Sequence, residues 1–438
     1  MSFTAIILAA GKGSRMKSSL SKPLHKVAGF EMISWVIDAA RSAGAEPIIP
    51  VISDDTPDLA SFLSGYSMAI QKNQNGTADA VMAALPHIKN RDQPILVLYA
   101  DTPFINKDIM CELLDNIKSG SDICVLGFNT ENPSGYGRLV TSSTGSLDAI
   151  IEDSEASASQ KMITNVNSGI MAFNGSIIEE TIQKITPSNS KQEYFLTDIV
   201  SIGSKNNLSV DYILTDKEHV IGINNLAQLA IAEYVAQNTL RRKAMLSGVT
   251  MIAPETVFLQ KDTIFGQDVI IEPNVVIAGG VSIASNCHIK SFCHLEKCSI
   301  GEGNIIGPFA RIRPDTITSQ KVKIGNFVEV KKSTLGEGAK VNHLSYVGDT
   351  HIGDNANIGA GTITCNYDGY RKYETKIGNG AFIGSNTALV APVTIGDNAI
   401  IGAGSTITQD VPNAGLILSR SEQTIIPSGA EKVRTKRK

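Results

Sequence analysis

Two periodicities divide the chain. Up to about residue 223, apolar runs of strand length at 4–9, 48–52, 95–99 and 123–127 alternate with stretches of helical spacing. In residues 31–43, for example, Ile33, Val36, Ile37 and Ala40 share one helical face. This alternation predicts a mostly parallel α/β sheet covered on both faces, with ligands bound beyond the carboxyl ends of its strands. Residues 225–247 predict one further helix that connects the two halves. Its apolar positions include Leu226, Leu229, Ala230, Val235 and Leu240, and Arg241-Arg242-Lys243 suit the negative end of its dipole. Asn225 is a candidate N-cap.

From about 259 to 412 an aliphatic residue recurs every sixth position. The count runs Ile271, Ile277, Ile283, Ile289, Leu295, slips by one, and resumes at Ile300, Ile306 and Ile312. It returns at Ile324, Val330, Leu335, Val341, Val347, Ile352 and Ile358, and closes with Ile377, Ile383, Leu389, Ile395, Ile401 and Ile407. A small or β-branched residue often stands four places after it, as at Val275, Ala310, Ala339 and Ala381. This is the hexapeptide repeat of a parallel β-helix, in which the aliphatic side chain fills the interior of a prism and the small residue fits beside its corner. Such prisms are usually left-handed with three edges per turn, which gives roughly eight coils. Residues 366–375 interrupt the repeat and predict a projecting loop. The segment 413–438 reads as a solvated tail ending in Lys432, Arg434, Lys436, Arg437 and Lys438.

Composition narrows the classes. In 438 residues, 39 Lys and Arg stand against 43 Asp and Glu, which argues against a nucleic-acid partner for the chain as a whole. Mean hydropathy is +0.02, and no apolar run is long enough to enter a membrane as a helix. Six scattered cysteines and an N-terminus without a basic start point to a reducing, cytoplasmic setting. Cys287-His288, Cys293-His294 and Cys298 have the look of a zinc cluster. Cys287 and Cys293, however, fall in the inward small-residue slot, which turns the histidines outward and makes the spacing structural.

Chemistry gathers where strands end. Leu8-Ala9-Ala10-Gly11-Lys12-Gly13-Ser14-Arg15-Met16 follows the first strand, and its glycines let backbone N–H groups approach phosphate oxygens. It is neither a dinucleotide fingerprint nor a Walker loop. With Lys22-Pro23-Leu24, it resembles the sugar-nucleotide pyrophosphorylases, as do Gln71 through Ala80, Tyr99-Ala100-Asp101-Thr102-Pro103, Gly135-Tyr136-Gly137-Arg138, Ile151-Glu152, Asn167-Ser168-Gly169 and Gly222-Ile223-Asn224-Asn225. In the repeat half, the blocks at 321–332, 341–349 and 358–369 resemble an acetyltransferase centre. Together the two halves resemble, over about residues 3–425, the bacterial bifunctional UDP-N-acetylglucosamine pyrophosphorylase / glucosamine-1-phosphate N-acetyltransferase family.

That resemblance implies a Rossmann-like nucleotidyltransferase domain over 1–223, a linker helix over 224–248, a left-handed β-helix acetyltransferase domain over 249–412 and a tail. It implies that Arg15 and Lys22 neutralise the triphosphate of UTP, and that Gln71, Gly76 and Thr77 read uracil. Leu8, Ala9, Ala10, Gly11, Tyr99 and Ala100 would complete the nucleotide site. Asp101 and Asn224 would hold Mg²⁺, and Gly137, Glu152 and Asn167 would position the sugar. In the second half, His343 would be the general base, since imidazole titrates near neutral pH. Arg313, Lys331, Tyr346 and Asn357 would bind glucosamine 1-phosphate, and Ala360, Asn366, Tyr367, Ser385, Ala403 and Arg420 would contact acetyl-CoA, partly across a subunit boundary of a homotrimer. Ala100 departs from the family, which usually has Gly there.

Two other readings stay open at this level. The β-helix could be an inert or regulatory scaffold, as in related ADP-glucose-forming enzymes; His343, Lys331 and Asn366-Tyr367 argue against that. The chain could also be an interaction protein of the translation-factor exchange type. That reading calls for a decayed phosphate loop, whereas Arg15, Lys22 and Asp101 are intact.

Overall fold

The computed structural model describes residues 2–143, 145–187 and 192–435; the predicted tail charges Lys436, Arg437 and Lys438 lie outside them. The chain forms two compact units, Met1–Ala236 and Gln237–Lys438.

The first unit is built on a nine-stranded sheet among the described residues. Its strands are β1 (Phe3–Leu8), β2 (Ala45–Ile52), β3 (Ala69–Ile70), β4 (Ile95–Tyr99), β5 (Ile123–Asn129), β6 (Arg138–Thr141), β7 (Leu147–Ile151), β8 (Asn165–Phe173) and β9 (Val210–Thr215). The order is β9-β5-β8-β4-β1-β2-β3, with β6 paired to both β8 and β7. All six residues of β1 are buried, as a strand covered on both faces requires. Helix α1 (Met32–Ala43) ends at Gly44 in the left-handed region, φ 97°, and buries Ile33, Val36, Ile37 and Ala40 as its spacing predicts.

Register matters more to the site than the strand count. Leu8 lies opposite Tyr99 on one side and Val51 on the other, and Ile52 lies opposite Ile70. Four neighbouring parallel strands therefore finish together, and the segments that follow each of them start side by side. One expectation is corrected: the sheet is more mixed than strand–helix alternation implies. β8 runs antiparallel to both β4 and β5. The chain reaches β8 through the β6–β7 hairpin, and a hairpin reverses direction where a helical crossover would have preserved it.

The helix α2 (Leu226–Leu246) is capped as predicted, the Gln228 N–H donating to Asn225 Oδ1 at 2.9 Å. Its buried stripe differs from the expected one. Leu226 is 52% exposed, while Ala232, Ala236, Gln237, Arg241 and Ala244 are buried. Gln237 makes two bonds to the Leu259 backbone, at 2.6 and 2.9 Å. The Arg241 guanidinium donates to the Val257 carbonyl at 3.1 Å and to Asn238 Oδ1 at 2.6 Å. Arg241 thus satisfies backbone carbonyls at the mouth of the repeat, a duty that helix-dipole reasoning does not reveal.

The second unit is a left-handed parallel β-helix whose three faces hold ten, eight and eight strands among the described residues. Every aliphatic residue of the six-residue count is at most 4% exposed. The two gaps in that count are filled by threonines. Thr318 and Thr364 are buried, and their hydroxyls accept from the Gly301 and Gly348 N–H groups at 3.0 and 2.8 Å. Threonine has the shape of valine, and its hydroxyl is acceptable inside because it is bonded. Coils approach closely at the corners: a Cβ on Gly378 would stand 2.6 Å from the Asp397 nitrogen of the next coil. Stacking continues past 412, with Leu416–Ile417 pairing with Ile400–Ile401. Cys287, Cys293 and Cys298 face the interior, whereas His294 is exposed and His288 bonds Glu272 at 2.8 Å. Burial raises the Cys293 and Cys298 thiols to about 11 and about 12, which keeps them protonated. Among the described residues, no group of three or more His, Cys, Asp and Glu side chains is arranged to hold a metal, and no helix is long and apolar enough to cross a membrane.

Each coil is supported only by its neighbours, so a cavity in one should weaken the stack. Ile358→Ala is expected to cost about 2–5 kcal/mol in urea unfolding of the second unit; a loss under about 1 kcal/mol would contradict this packing.

Candidate functional site

The aligned strand ends of the first unit open onto a cleft of about 280 Å³. Leu8, Ala9, Ala10, Gly11 and Lys22 line one part of it, and Gln71, Gly76, Thr77, Tyr99, Ala100 and Asp101 another. All eleven of these predicted positions therefore share one space. Sequence reasoning missed Glu193 and Phe195, which also line it and carry no motif. Gln71 is buried; its Nε2 donates to the Gly76 carbonyl at 3.0 Å and to Asp79 at 2.7 Å. Gly76 has φ +119°, and a Cβ there would stand 2.4 Å from the Tyr194 carbonyl oxygen, so only glycine fits. Tyr99 is half-buried, and the withdrawal of its phenol from solvent, together with Asp101 and Glu152, pushes its pKa well above the ordinary tyrosine value. Tyr99 is therefore a neutral wall of the cleft. Ala100 is buried, its φ lies outside the left-handed region, and its N–H donates to the Leu8 carbonyl at 3.1 Å. A Cβ at this position brings no backbone strain.

Charge converges at the edge of this cleft. The Lys22 ammonium contacts Asp101 Oδ2 and lies 2.8 Å from Asn224 Oδ1, which also accepts from Arg15 at 2.9 Å. One carboxylate and one amide oxygen thus point at a single cation. Gly137, Glu152 and Asn167 form a second group. The Asn167 N–H donates to the Gly137 carbonyl at 2.8 Å, and a Cβ on Gly137 would stand 3.6 Å from Glu152 Oε1. The neighbouring Arg138 is buried and anchors this turn through Asp153, at 2.8 Å, and the Tyr136 carbonyl.

In the second unit the coils place the candidate residues in lines. Asn326 stands opposite His343 in the parallel ladder. The Gly361 N–H donates to the His343 carbonyl at 3.2 Å, Asn386 to Ala360 at 2.7 Å and Gly404 to Ser385 at 2.8 Å. Asn326, His343, Ala360, Ser385 and Ala403 therefore follow one corner of the prism, one residue per coil. At about 4.8 Å per coil, that line spans roughly 19 Å. Arg420 lies beside the end of this line, its Cδ 3.7 Å from where a Cβ on Gly404, the residue after Ala403, would stand. Asn326 escaped the sequence reading because an outward asparagine is common at such corners.

On the adjacent face Arg313 and Lys331 occupy matching positions on consecutive coils. Arg313 bonds Glu329 at 2.7 Å. Lys331 is pressed against Lys372, a residue of the projecting loop that the sequence reading also missed. That contact, with burial and Arg313 adding to it, holds Lys331 below the ordinary lysine value. Arg313, Lys331 and Lys372 thus gather positive charge on this face, with Glu329 bonded to Arg313 and the Asp349 carboxylate nearby. The Asn366 side chain bonds Asp349 at 2.6 Å, and Lys332 reaches the same carboxylate at 3.0 Å. Burial acts to raise the Asp349 pKa, but these partners outweigh it and hold the carboxyl below its usual range. Tyr346 and Asn357 are half-buried on their strands. Tyr367 opens the projecting loop, which a Tyr367–Lys372 bridge closes into a hairpin.

Comparison with known proteins agrees with both units. The MobA-like NTP transferase domain matches residues 5–166, and the bacterial transferase hexapeptide (six repeats) matches residues 262–297 and 374–409. The chain is 48% identical over 437 residues to the Bifunctional protein GlmU of Chelativorans sp., across 99% of this chain and 96% of that protein. It is 47% identical over 440 residues to the protein of that name from Xanthobacter autotrophicus, across 100% and 98%. For Agrobacterium fabrum the figures are 45% over 438 residues, across 99% and 96%. With this identity along nearly the whole of both units, the chain belongs to the family of bifunctional GlmU proteins.

Proposed function

We propose that the chain makes UDP-N-acetylglucosamine in two steps, for use in peptidoglycan and lipopolysaccharide synthesis. The second unit transfers acetyl from acetyl-CoA to glucosamine 1-phosphate. The first then transfers uridylyl from UTP to N-acetylglucosamine 1-phosphate and releases pyrophosphate. The corner line from Asn326 to Ala403, beside the cations Arg313, Lys331 and Lys372, is the observation that carries this reading. A long thioester fits along the line with its acetyl end at His343, and a sugar phosphate fits the cations.

In acetyl transfer, His343 takes the proton from the sugar amine as that amine attacks the thioester carbonyl, and the CoA thiolate leaves. No acyl-enzyme is needed, because binding aligns both reactants. Arg313 and Lys331 hold the phosphate, Tyr346 and Asn357 the sugar, and Asn366, Tyr367 and Arg420 the CoA. In uridylyl transfer, a phosphate oxygen of the sugar phosphate attacks the α-phosphorus in line, and Arg15 and Lys22 balance the charge of the leaving pyrophosphate. Gln71, with its Nε2 already engaged, turns Oε1 toward the N–H of uracil. Asp101 and Asn224 would hold Mg²⁺; their two oxygens already converge on one ammonium, and hard oxygen donors suit this ion. When bound, Mg²⁺ neutralises charge on the phosphates.

A homotrimer built through the β-helix belongs to the same reading. Phe292, Phe309 and Phe327 stack at centroid separations of 4.8 and 5.2 Å, and with Leu344 they form a stripe of residues at least 46% exposed. All four adopt positive φ, a costly conformation for bulky residues. A second copy of the chain covering the stripe accounts for so much exposed apolar surface beside His343. A cytoplasmic location fits the nucleotide and CoA substrates.

The two activities should separate cleanly. His343→Ala is expected to lower kcat for acetyl transfer by about 10²–10⁴-fold and to spare uridylyl transfer, and Asp101→Ala should do the reverse; steady-state assays of each half-reaction decide. Chelation by EDTA should stop uridylyl transfer and leave acetyl transfer running, with restoration by added Mg²⁺. Sedimentation should give three times the 46.6 kDa chain mass, and a Phe309→Ser, Phe327→Ser double variant should shift toward single chains. A wild-type monomer would overturn the trimer.

A further inference from the structure

Strands Lys323–Asn326 and Lys340–His343 are neighbours in the first face of the prism, and Asn326 stands directly opposite His343. The two corners are tied twice, once through the backbone and once through the side chains. The Leu344 N–H donates to the Asn326 carbonyl at 3.1 Å, and the Asn326 side-chain oxygen lies 2.8 Å from His343 Nδ1. Each precedes a residue of left-handed backbone, Phe327 at φ 55° and Leu344 at φ 49°, so both side chains leave the corner from the same local geometry. The coils are also in close contact just before this point, where a Cβ on Gly325 would stand 1.9 Å from the Asn342 carbonyl oxygen. Neither residue can shift along the corner without breaking this packing.

The consequence lies in the imidazole proton. A neutral imidazole carries one N–H, and the hydrogen bond at one nitrogen decides which nitrogen holds it. An amide oxygen can only accept. With Asn326 Oδ1 at Nδ1, the proton sits on Nδ1, and Nε2 keeps a bare lone pair. The opposite orientation of the amide would donate to Nδ1, place the proton on Nε2 and disable that nitrogen as an acceptor.

We propose that Asn326 is the positioning residue of the acetyl-transfer site, accepting the His343 Nδ1–H so that Nε2 is held as the proton acceptor for the sugar amine. The proposal rests on the reading of His343 as the base. Asn326 touches no substrate in this scheme; it acts through the imidazole, and its removal should affect turnover and leave substrate affinity intact.

The test combines ¹⁵N NMR of histidine-labelled full-length protein with steady-state kinetics. The chain has seven histidines, so the His343 signals are assigned by their loss in His343→Ala. In the wild type, Nδ1 should report as protonated and Nε2 as unprotonated. Asn326→Ala should move the population toward the Nε2–H form and lower kcat for acetyl transfer about 10-fold or more, with KM for both substrates and the rate of uridylyl transfer unchanged. Asn326→Asp, which keeps an acceptor, should recover most of kcat. A wild-type proton on Nε2, or an Asn326→Ala variant with unaltered tautomer and kcat, overturns the proposal. Failure of the base reading looks different, because His343→Ala would then retain acetyl transfer whatever the tautomer.

Discussion

The backbone hydrogen bonds that join one coil of the prism to the next are the constraint on which the second unit depends. They are parallel and in register, so side chains on successive coils are held in lines along the stack. Aliphatic residues facing inward stabilise each coil by about 1.5–3 kcal/mol per side chain, and the outward positions are thereby freed for chemistry. The row Asn326, His343, Ala360, Ser385 and Ala403 follows from this register. So does the stacking of Arg313 on Lys331. In the proposed reaction a long thioester would lie along an edge and a small phosphorylated sugar across it.

The first unit meets the same need for precision by different means. Parallel strands that stop at Leu8, Ile52, Ile70 and Tyr99 deliver four loops to one side of a sheet. The cleft receives its glycine-rich backbone from one loop, its buried amide Gln71 from another and its carboxylate Asp101 from a third. Phosphoryl transfer asks for charge balance and alignment, and no protein nucleophile. In the proposed reaction the convergence of Asp101, Asn224, Arg15 and Lys22 would supply the first of these.

Much of this was legible in the residues because the dominant forces leave periodic marks. The six-residue aliphatic count marks the prism, and the two places where it lapses hold Thr318 and Thr364, which imitate valine and bond their hydroxyls to backbone. The cleft residues were legible because they follow strands in recognisable strings. What escaped depended on contacts far apart in the chain. β8 gives no sign of its antiparallel direction, since direction is set by the connection and not by the strand's own residues. Arg241 looks like a dipole partner until the Val257 carbonyl is seen beside it. Asn326 and Lys372 are ordinary polar residues in one dimension and become partners of His343 and Lys331 only when coils stack.

One chain thus performs two ordered reactions, acetylation in the β-helix and then uridylylation in the α/β unit. Time-resolved ³¹P NMR of the purified protein with glucosamine 1-phosphate, acetyl-CoA, UTP and Mg²⁺ follows both reactions in one sample. The N-acetylglucosamine 1-phosphate monoester signal should rise first and then fall as the diphosphate signals of UDP-N-acetylglucosamine grow. Formation of UDP-glucosamine ahead of any acetylated monoester, or the absence of either product, would contradict this scheme.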